Sequence, residues 1–525
     1  MSTMLRLELK FPSLILIFLY LAILYLVSLV LYRLFLHPVC SFPGPKLAAA
    51  TKWYEFYYDV LNAPGGQFSR HVEELHRQYG PIVRINPDEL HISDPDFYET
   101  LYSQSKRDKW PPAAGIAGWD VYPHATVDHD MHRQRRAAAN PLMSRKAVVE
   151  AIPMIQQQLD KLVEVFSKSV QNEEAIELGT VFLAFTTDVA GQYFFSETLG
   201  MQDDHGKAAA WKHTTHGIAR ATPIVKQFPG IMKPALKIPL SVWKIMDPIA
   251  AVLLQLHYDL DGKARQFLNT VARNGEAKML NDSGRPLTIF HAVYQNPGPD
   301  SNRLHERLTD EAFSMIVTGG ETSAKVLTRA IYYLAVDEPA FQRLRAELRE
   351  ALERANRNAS ALTLLELERL PWLTAIIRES LRISALVTSR LPLQPHTPLQ
   401  YDRWIIPAMT PVSLSPYDVL KDPTIYPNPD NFEPARWLQT TNDGQEKVRL
   451  DLERYFVPFG KGPRMCQGVN LAWAELYLAL AALVPRFDFE LHDVVKERDI
   501  DYSGDFFLGE VRADSKGVHV KVHAV

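Results

Sequence analysis

The sequence predicts a mainly α-helical protein with a minor β-sheet region, preceded by an N-terminal transmembrane helix. Three observations carry that prediction. Residues 14–32 read LILIFLYLAILYLVSLVLY, with Ser28 the one strongly polar side chain. Apolar residues spaced three and four apart dominate the middle of the chain, at 146–171, 308–336 and 338–356. Strand-like runs are short and scattered. A composition of 46% hydrophobic and 22% charged residues over 525 positions suits a large buried core.

The apolar run is long enough to cross a hydrocarbon layer of about 30 Å as a helix. It lacks the short apolar core and small-residue cleavage site of a signal peptide. Arg6 and Lys10 before it and Arg33 and Lys46 after it leave orientation undecided by positive charge. Only two cysteines occur, which excludes a disulfide framework or a four-thiolate zinc site and points to a reducing, cytosolic location for the body. On that topology Asn281 and Asn358, both in N-x-S sequons, stay unmodified. Net charge −4 supplies no basic field for nucleic acid.

After this anchor (residues 1–36), HPVCSFPGPK opens a proline-rich hinge over 37–50. Length alone suggests about three domains by the rule of roughly 150 residues each, but residues 51–525 show no repeat, low-complexity tract or break and read as one catalytic domain. PIVRINP (81–87) and ELHIS (89–93) are short strand signals, with weaker ones at 404–414 and 517–522. Residues 228–246 mix large apolar side chains with Lys233, Lys237 and Lys244. That segment reads equally as a membrane-interface helix or a half-buried surface helix.

The chemistry concentrates in FGKGPRMCQG (459–468). A lone thiol is by default a buried structural residue. Here Gly460, Gly462 and Gly468 open the backbone around Cys466, and Arg464 offers a fixed cation beside it. A thiolate near backbone N–H groups and a cation is a soft metal ligand. With no second cysteine nearby, such a metal must bring its other ligands with it, as haem does. A cysteine nucleophile with a distant histidine base remains the competing reading.

In the long helical pattern, VTGGETSAKVL (317–327) places Gly319 and Gly320 beside Glu321, Thr322 and Ser323. Each interior glycine costs about 1 kcal/mol against alanine, so a functional reason is expected. The absent side chains suggest room for a ligand against the helix. RESLR sets Glu379 and Arg382 three apart on one helical face, where a surface ion pair is the plain reading. His132 and Arg136 stand at i, i+4 in DHDMHRQRR. His129 and His132 lack an evident third ligand for a metal.

Taken in order, these motifs resemble the cytochrome P-450 superfamily. FGKGPRMCQG matches its FxxGxRxCxG haem loop at Phe459, Gly462, Arg464, Cys466 and Gly468. TGGET resembles the AGx[DE]T oxygen-activation motif, with Thr318 in place of alanine. ExxR and FEPARW resemble the network of Glu379, Arg382 and Arg436, with Ala435 where glutamate is usual. The resemblance covers essentially the whole chain and is closest to fungal biosynthetic members of the trichodiene oxygenase-like type.

What the resemblance implies is a cytochrome P-450 fold and a membrane-anchored haem-thiolate monooxygenase. Cys466 is the axial iron ligand, and Glu321 and Thr322 supply protons during oxygen activation. Phe459, Arg464 and Gly468 belong to the haem site, as do His132, where a tryptophan is common, and Arg136. Leu393 stands where many relatives carry a propionate-binding arginine, a role either missing in this chain or taken over by Arg390. Glu379, Arg382 and Arg436 are structural. Haem b is the expected cofactor, with electrons from NADPH through a reductase. Arg133, Arg135, Lys447, Arg449, Arg454 and Lys461 read as solvated charge or as a steering field for an acidic electron donor. The expected location is the endoplasmic reticulum membrane, single-pass, with the body facing the cytosol. The substrate is expected to be lipophilic, a terpenoid or polyketide-like intermediate, and the loop over 110–123 is expected to line its pocket. A haem-bearing isomerase or dehydratase and a silent membrane-tethered scaffold are the alternatives.

Overall fold

The computed structural model describes residues 11–525 except 104–105, 115–120, 236, 275–279, 282, 356–361 and 443. Arg6, Lys10, Asn358 and the centre of the 110–123 loop lie outside the described residues. The helices that matter for the site are α1 (Phe11–Phe35), α2 (Phe97–Tyr102), α3 (His129–Ala137), α4 (Arg145–Asn172), α5 (Leu178–Phe195), α6 (His205–Gln227), α7 (Leu304–Val336), α8 (Pro371–Ile383) and α9 (Val469–Leu483). The strands that matter for it are β1 (Ile82–Arg84), β2 (Leu90–Ile92), β3 (Arg107–Lys109), β4 (Leu393–Pro395), β5 (Val412–Ser413) and β6 (Leu508–Glu510). Every helical and strand signal named above falls on an element of its predicted type.

Within α1, residues 14–35 form one exposed helix of mean hydropathy 3.0, the one described helix long and apolar enough to cross a membrane. Arg33 at its end donates to Ala50 O at 2.8 Å. Beyond it Val39 and Phe42 are buried in the main core, so the proline-rich stretch is packed onto the body. Residues 228–246 hold short helical turns, and Phe228, Ile231, Ile245 and Met246 are exposed. Phe228 packs edge-on against Trp53 and Phe56.

At the centre runs α7, 33 residues and so about 50 Å long. Along α5 the two helices pack closely, and Gly320 is the reason. A Cβ there would lie 2.5 Å from Thr187 Oγ1 and 3.2 Å from Leu183 Cδ1, while one on Gly319 would meet Ala190 Cβ at 3.2 Å. Thr186 Oγ1 donates to Gly320 O at 2.9 Å. This corrects the expectation that the paired glycines make room for a ligand: they make room for α5. Sequence gives the glycines but not the face they present.

The five-stranded sheet has the order β1-β2-β5-β4-β3, with β2 and β5 parallel and the other pairs antiparallel. Lys109 on β3 pairs in register with Leu393 on β4. On α8, Glu379 and Arg382 are fully buried, which removes the surface-pair reading. Glu379 accepts from Arg382 at 2.8 and 2.9 Å, Arg436 Nε at 3.1 Å, Trp437 Nε1 at 2.8 Å and Glu433 N at 2.9 Å. One carboxylate thereby ties α8 to the segment that leads into the cysteine loop.

Candidate active site

The cysteine loop is held by its backbone. Gly462 sits at φ +70°, and a Cβ there would come within 2.2 Å of Tyr102 O and 2.9 Å of Ser103 Cα. Only glycine permits that approach to the end of α2. Cys466 N donates to Phe459 O at 2.8 Å and closes the loop. The Phe459 ring lies 6.1 Å from that of Trp473 on α9, which begins three residues after the cysteine. By surface area Cys466 is exposed, yet protein surrounds it closely enough for burial to push its thiol pKa up, against the pull of the Gly468 N–H and Arg136. Both hold if the thiol faces an interior space instead of the outer surface.

Among the described residues, cations without carboxylate partners gather beside this loop. Arg464 donates to Thr126 O at 2.9 Å and Val127 O at 2.7 Å, leaving its buried Nε unpartnered. Arg136 on α3 donates to Met465 O at 2.6 Å, and Gln467 Nε2 returns a bond to Arg136 O. His132 is buried with Nδ1 unpartnered. Burial, Arg464 and Arg136 push its pKa down to about 3. Lys109 Nζ is buried and donates to His124 O at 2.9 Å. Desolvation and Arg464 lower its pKa to about 7, and desolvation likewise brings Arg464 to about 10. Burying several cations together is costly unless an anion joins them. An unpartnered ring nitrogen at His132, an orphaned N–H at Arg464, the cations Arg136, Arg464 and Lys109 and the Cys466 thiol fit a flat group carrying carboxylates and a metal. The donor set fits haem.

Lys109 is the residue that sequence reasoning missed. Its role comes from register: it stands directly across the ladder from Leu393, where an arginine was expected. Arg390, the suggested substitute, is engaged elsewhere, with Glu89 Oε1 at 2.7 Å and Glu55 at 3.0 Å. Arg135 is likewise no steering charge. It is buried, donating to Asp300 at 2.7 and 2.8 Å and to Thr126 Oγ1 at 2.9 Å. Arg449 pairs with Asp451 and Arg454 with Asp96, which neutralises part of the cluster before the cysteine.

Along α7, Ser314, Thr318 and Thr322 form a stair at i, i+4, i+8. Thr318 Oγ1 donates to Ser314 O at 2.7 Å and Thr322 Oγ1 to Thr318 O at 3.3 Å. Thr318 is exposed in the midst of a helix whose flanks are buried, so this face borders interior space. Packing of α9 on α7, with Glu475 beside Ser323, brings the loop's helix against the same wall. Glu321 turns away from it, toward α6. Thr215 Oγ1 donates to Glu321 Oε2 at 3.1 Å, and His216 Nε2 lies 3.5 Å from Oε1. Among the described hydrogen bonds none joins Glu321 to Thr322.

A family model described as Cytochrome P450 matches residues 50–516. The chain is 38% identical to the cytochrome P450 monooxygenase sdnE of Sordaria araneosa over 95% of this chain and 96% of that one. It is also 38% identical to the tryptophan 6-hydroxylase fscE of Fusarium equiseti, covering 94% of both. Identity to the N-acetyltryptophan 6-hydroxylase ivoC of Emericella nidulans is 36%, covering 98% of both.

Proposed function

The chain belongs to the cytochrome P450 family and is a monooxygenase of that family; from this premise we propose that it inserts one oxygen atom of O2 into a lipophilic secondary-metabolite intermediate, terpenoid or polyketide-like. The observation that carries the reading is the Cys466 thiol, open by surface area yet closely surrounded by protein, beside Arg136, Arg464 and Lys109, none of which pairs with a carboxylate among the described residues. Haem, bound there, supplies the oxidising chemistry, with the thiolate donating electron density to the metal.

The chain's own residues do the rest. Cys466 would ligate the iron. Arg136, Arg464 and His132 receive the carboxylates of the group, and Lys109 stands in for the arginine missing at Leu393. Phe459 and Gly468 shape the loop. Thr322 holds a proton donor on the interior face of α7, and Glu321 exchanges protons with the opposite side of the helix. Glu379, Arg382 and Arg436 fix the chain behind the loop.

Electrons come from NADPH through a reductase that docks on the cysteine side, where Lys461 borders a groove of about 630 Å³. The body faces the cytosol from the endoplasmic reticulum membrane, held by the single α1 span, with exposed residues of 228–246 resting on the lipid surface. A second substrate reading, an indole-bearing molecule, is favoured by the activities named for two of the relatives.

Expression with a reductase in a host fed candidate intermediates identifies the oxidised substrate. With it, Thr322→Ala should keep NADPH consumption while product falls, the electrons appearing as hydrogen peroxide. A positioned general acid is worth about 10² to 10⁴ in rate, and Thr322→Ser should keep most of it. Unchanged product per NADPH in the alanine variant removes the proton role of Thr322 and the oxygen-activating reading with it.

A further inference from the structure

His216 projects from α6 between two carboxylates, one facing each ring nitrogen. Nε2 lies 3.5 Å from Glu321 Oε1, and Nδ1 lies 2.6 Å from Glu510 Oε2 on β6. Glu510 Oε1 accepts from Lys325 Nζ at 3.0 Å, and Lys325 also donates to Gly509 O at 2.9 Å. Burial opposes the charge on Glu510, but Lys325 and His216 outweigh it and hold that carboxyl well below the usual carboxylate range. The imidazole thus sits between two carboxylates, from α7 and β6, with the Lys325 ammonium on the second.

This set opens outward. A cleft of about 520 Å³ is lined by Glu321, His216, Lys325 and Glu510, together with Lys212 and Arg512. The His216 side chain is 26% exposed, whereas that of Glu321 is 12% and that of Glu510 2% exposed. Of the groups that contact Glu321, the imidazole is thus the one that reaches both cleft water and the carboxylate.

We propose that His216 is the proton supplier of Glu321, passing protons from the cleft to the carboxylate on the far side of α7 from the interior face. The proposal rests on the oxygen-activating reading above, because it gives Glu321 a source for the protons that reading spends. In the transfer, the Nε2–H bond of the imidazolium breaks and an O–H bond forms at Glu321 Oε1. The ring becomes neutral, keeping its proton at Nδ1, and a proton from the cleft water then returns to Nε2. Net charge of the set is unchanged and no electron moves. The 3.5 Å gap needs only a small side-chain rotation to reach transfer distance, since such contacts are looser before substrate binds. His216 acts through Glu321 and is a positioning residue, not a group that touches substrate.

Two variants test this with the substrate found by host expression. His216→Gln keeps a polar tether to both carboxylates but cannot carry a cationic proton. Product per NADPH should fall by about ten-fold, less than the loss of a general acid itself because water still reaches Glu321. The solvent deuterium effect on that ratio should grow, while amide hydrogen exchange over residues 205–227 stays at the wild-type level. His216→Ala should uncouple likewise, and added imidazole should restore it. Wild-type partition and isotope effect in His216→Gln would overturn the proposal. So would coupling losses that track faster amide exchange in α6, or no rescue by imidazole. Thr322→Ala run in parallel separates the two readings. If it uncouples while His216→Gln does not, only the proton-supply route fails; if neither uncouples, the oxygen-activating reading fails first.

Discussion

Replacing Glu379 with glutamine changes one atom in the centre of the body and leaves the shape of the side chain alone. Its consequence can be worked from the contacts. Both carboxylate oxygens are saturated by donors: Oε1 by Arg382, Arg436 and Glu433 N, Oε2 by Arg382 and Trp437. Arg436 keeps a second carboxylate, Glu433, at 3.1 Å. Arg382 keeps only the carbonyls of Leu420, Pro429 and Asn431. The amide would turn its own N–H groups toward donors and leave a fully buried guanidinium without a counter-charge. Breaking a buried pair in this way costs about 3–5 kcal/mol, which is about two to three and a half powers of ten in the folding equilibrium. Urea denaturation of the full chain in detergent, followed by tryptophan emission, measures it. Lys161→Met, which breaks an exposed pair with Asp203, is the control and should cost less than about 1 kcal/mol. A Glu379→Gln midpoint that coincides with this control would refute the reasoning.

Cys466→Ser should abolish the red-shifted Soret band of the reduced carbon-monoxide complex, and a retained band would remove the axial-ligand assignment. Lys109→Met should speed loss of haem to a scavenging protein, with Leu393→Arg in the same chain slowing it again; unchanged release would mean Lys109 carries no carboxylate. Burial raises the Glu475 carboxyl from 4.5 to about 8. The folded state therefore binds the extra proton between those values, and stability present below pH 4.5 declines as pH rises toward 8, by up to about 1.4 kcal/mol per pH unit. Glu475→Gln should flatten that decline in urea titrations, and an equally steep decline in the variant would assign it to another group.

What sequence could tell about this molecule depended on whether the signal was local. The N-terminal helix declares itself because a run of nineteen positions with a single strongly polar side chain has few other uses. The cysteine loop does so because its glycines answer to backbone geometry within ten residues. Glu379 and Arg382 looked like any i, i+3 surface pair until packing buried them. Lys109 gave no local sign at all: its meaning comes from lying across a ladder from Leu393, a register set by chain nearly three hundred residues away. Gly319 and Gly320 were legible as unusual, but the face they turn, and hence whether helix or ligand meets it, is decided by where α5 lands. Arg390 shows the same limit, since Glu55 and Glu89 reach it only in the folded protein.

The contact between Gly462 and the end of α2 bears on how the cysteine loop is placed. Tyr102, whose carbonyl meets that glycine, also uses its hydroxyl to reach Leu391 O at 2.8 Å and Leu414 O at 3.0 Å, on the chain that flanks β4 and continues β5. One residue is thus a common footing for the thiol-bearing turn and for the sheet beside it. The spacing between them is a property of the polypeptide, established when α2 docks. Whatever the turn holds is therefore gauged from the sheet by a single tyrosine.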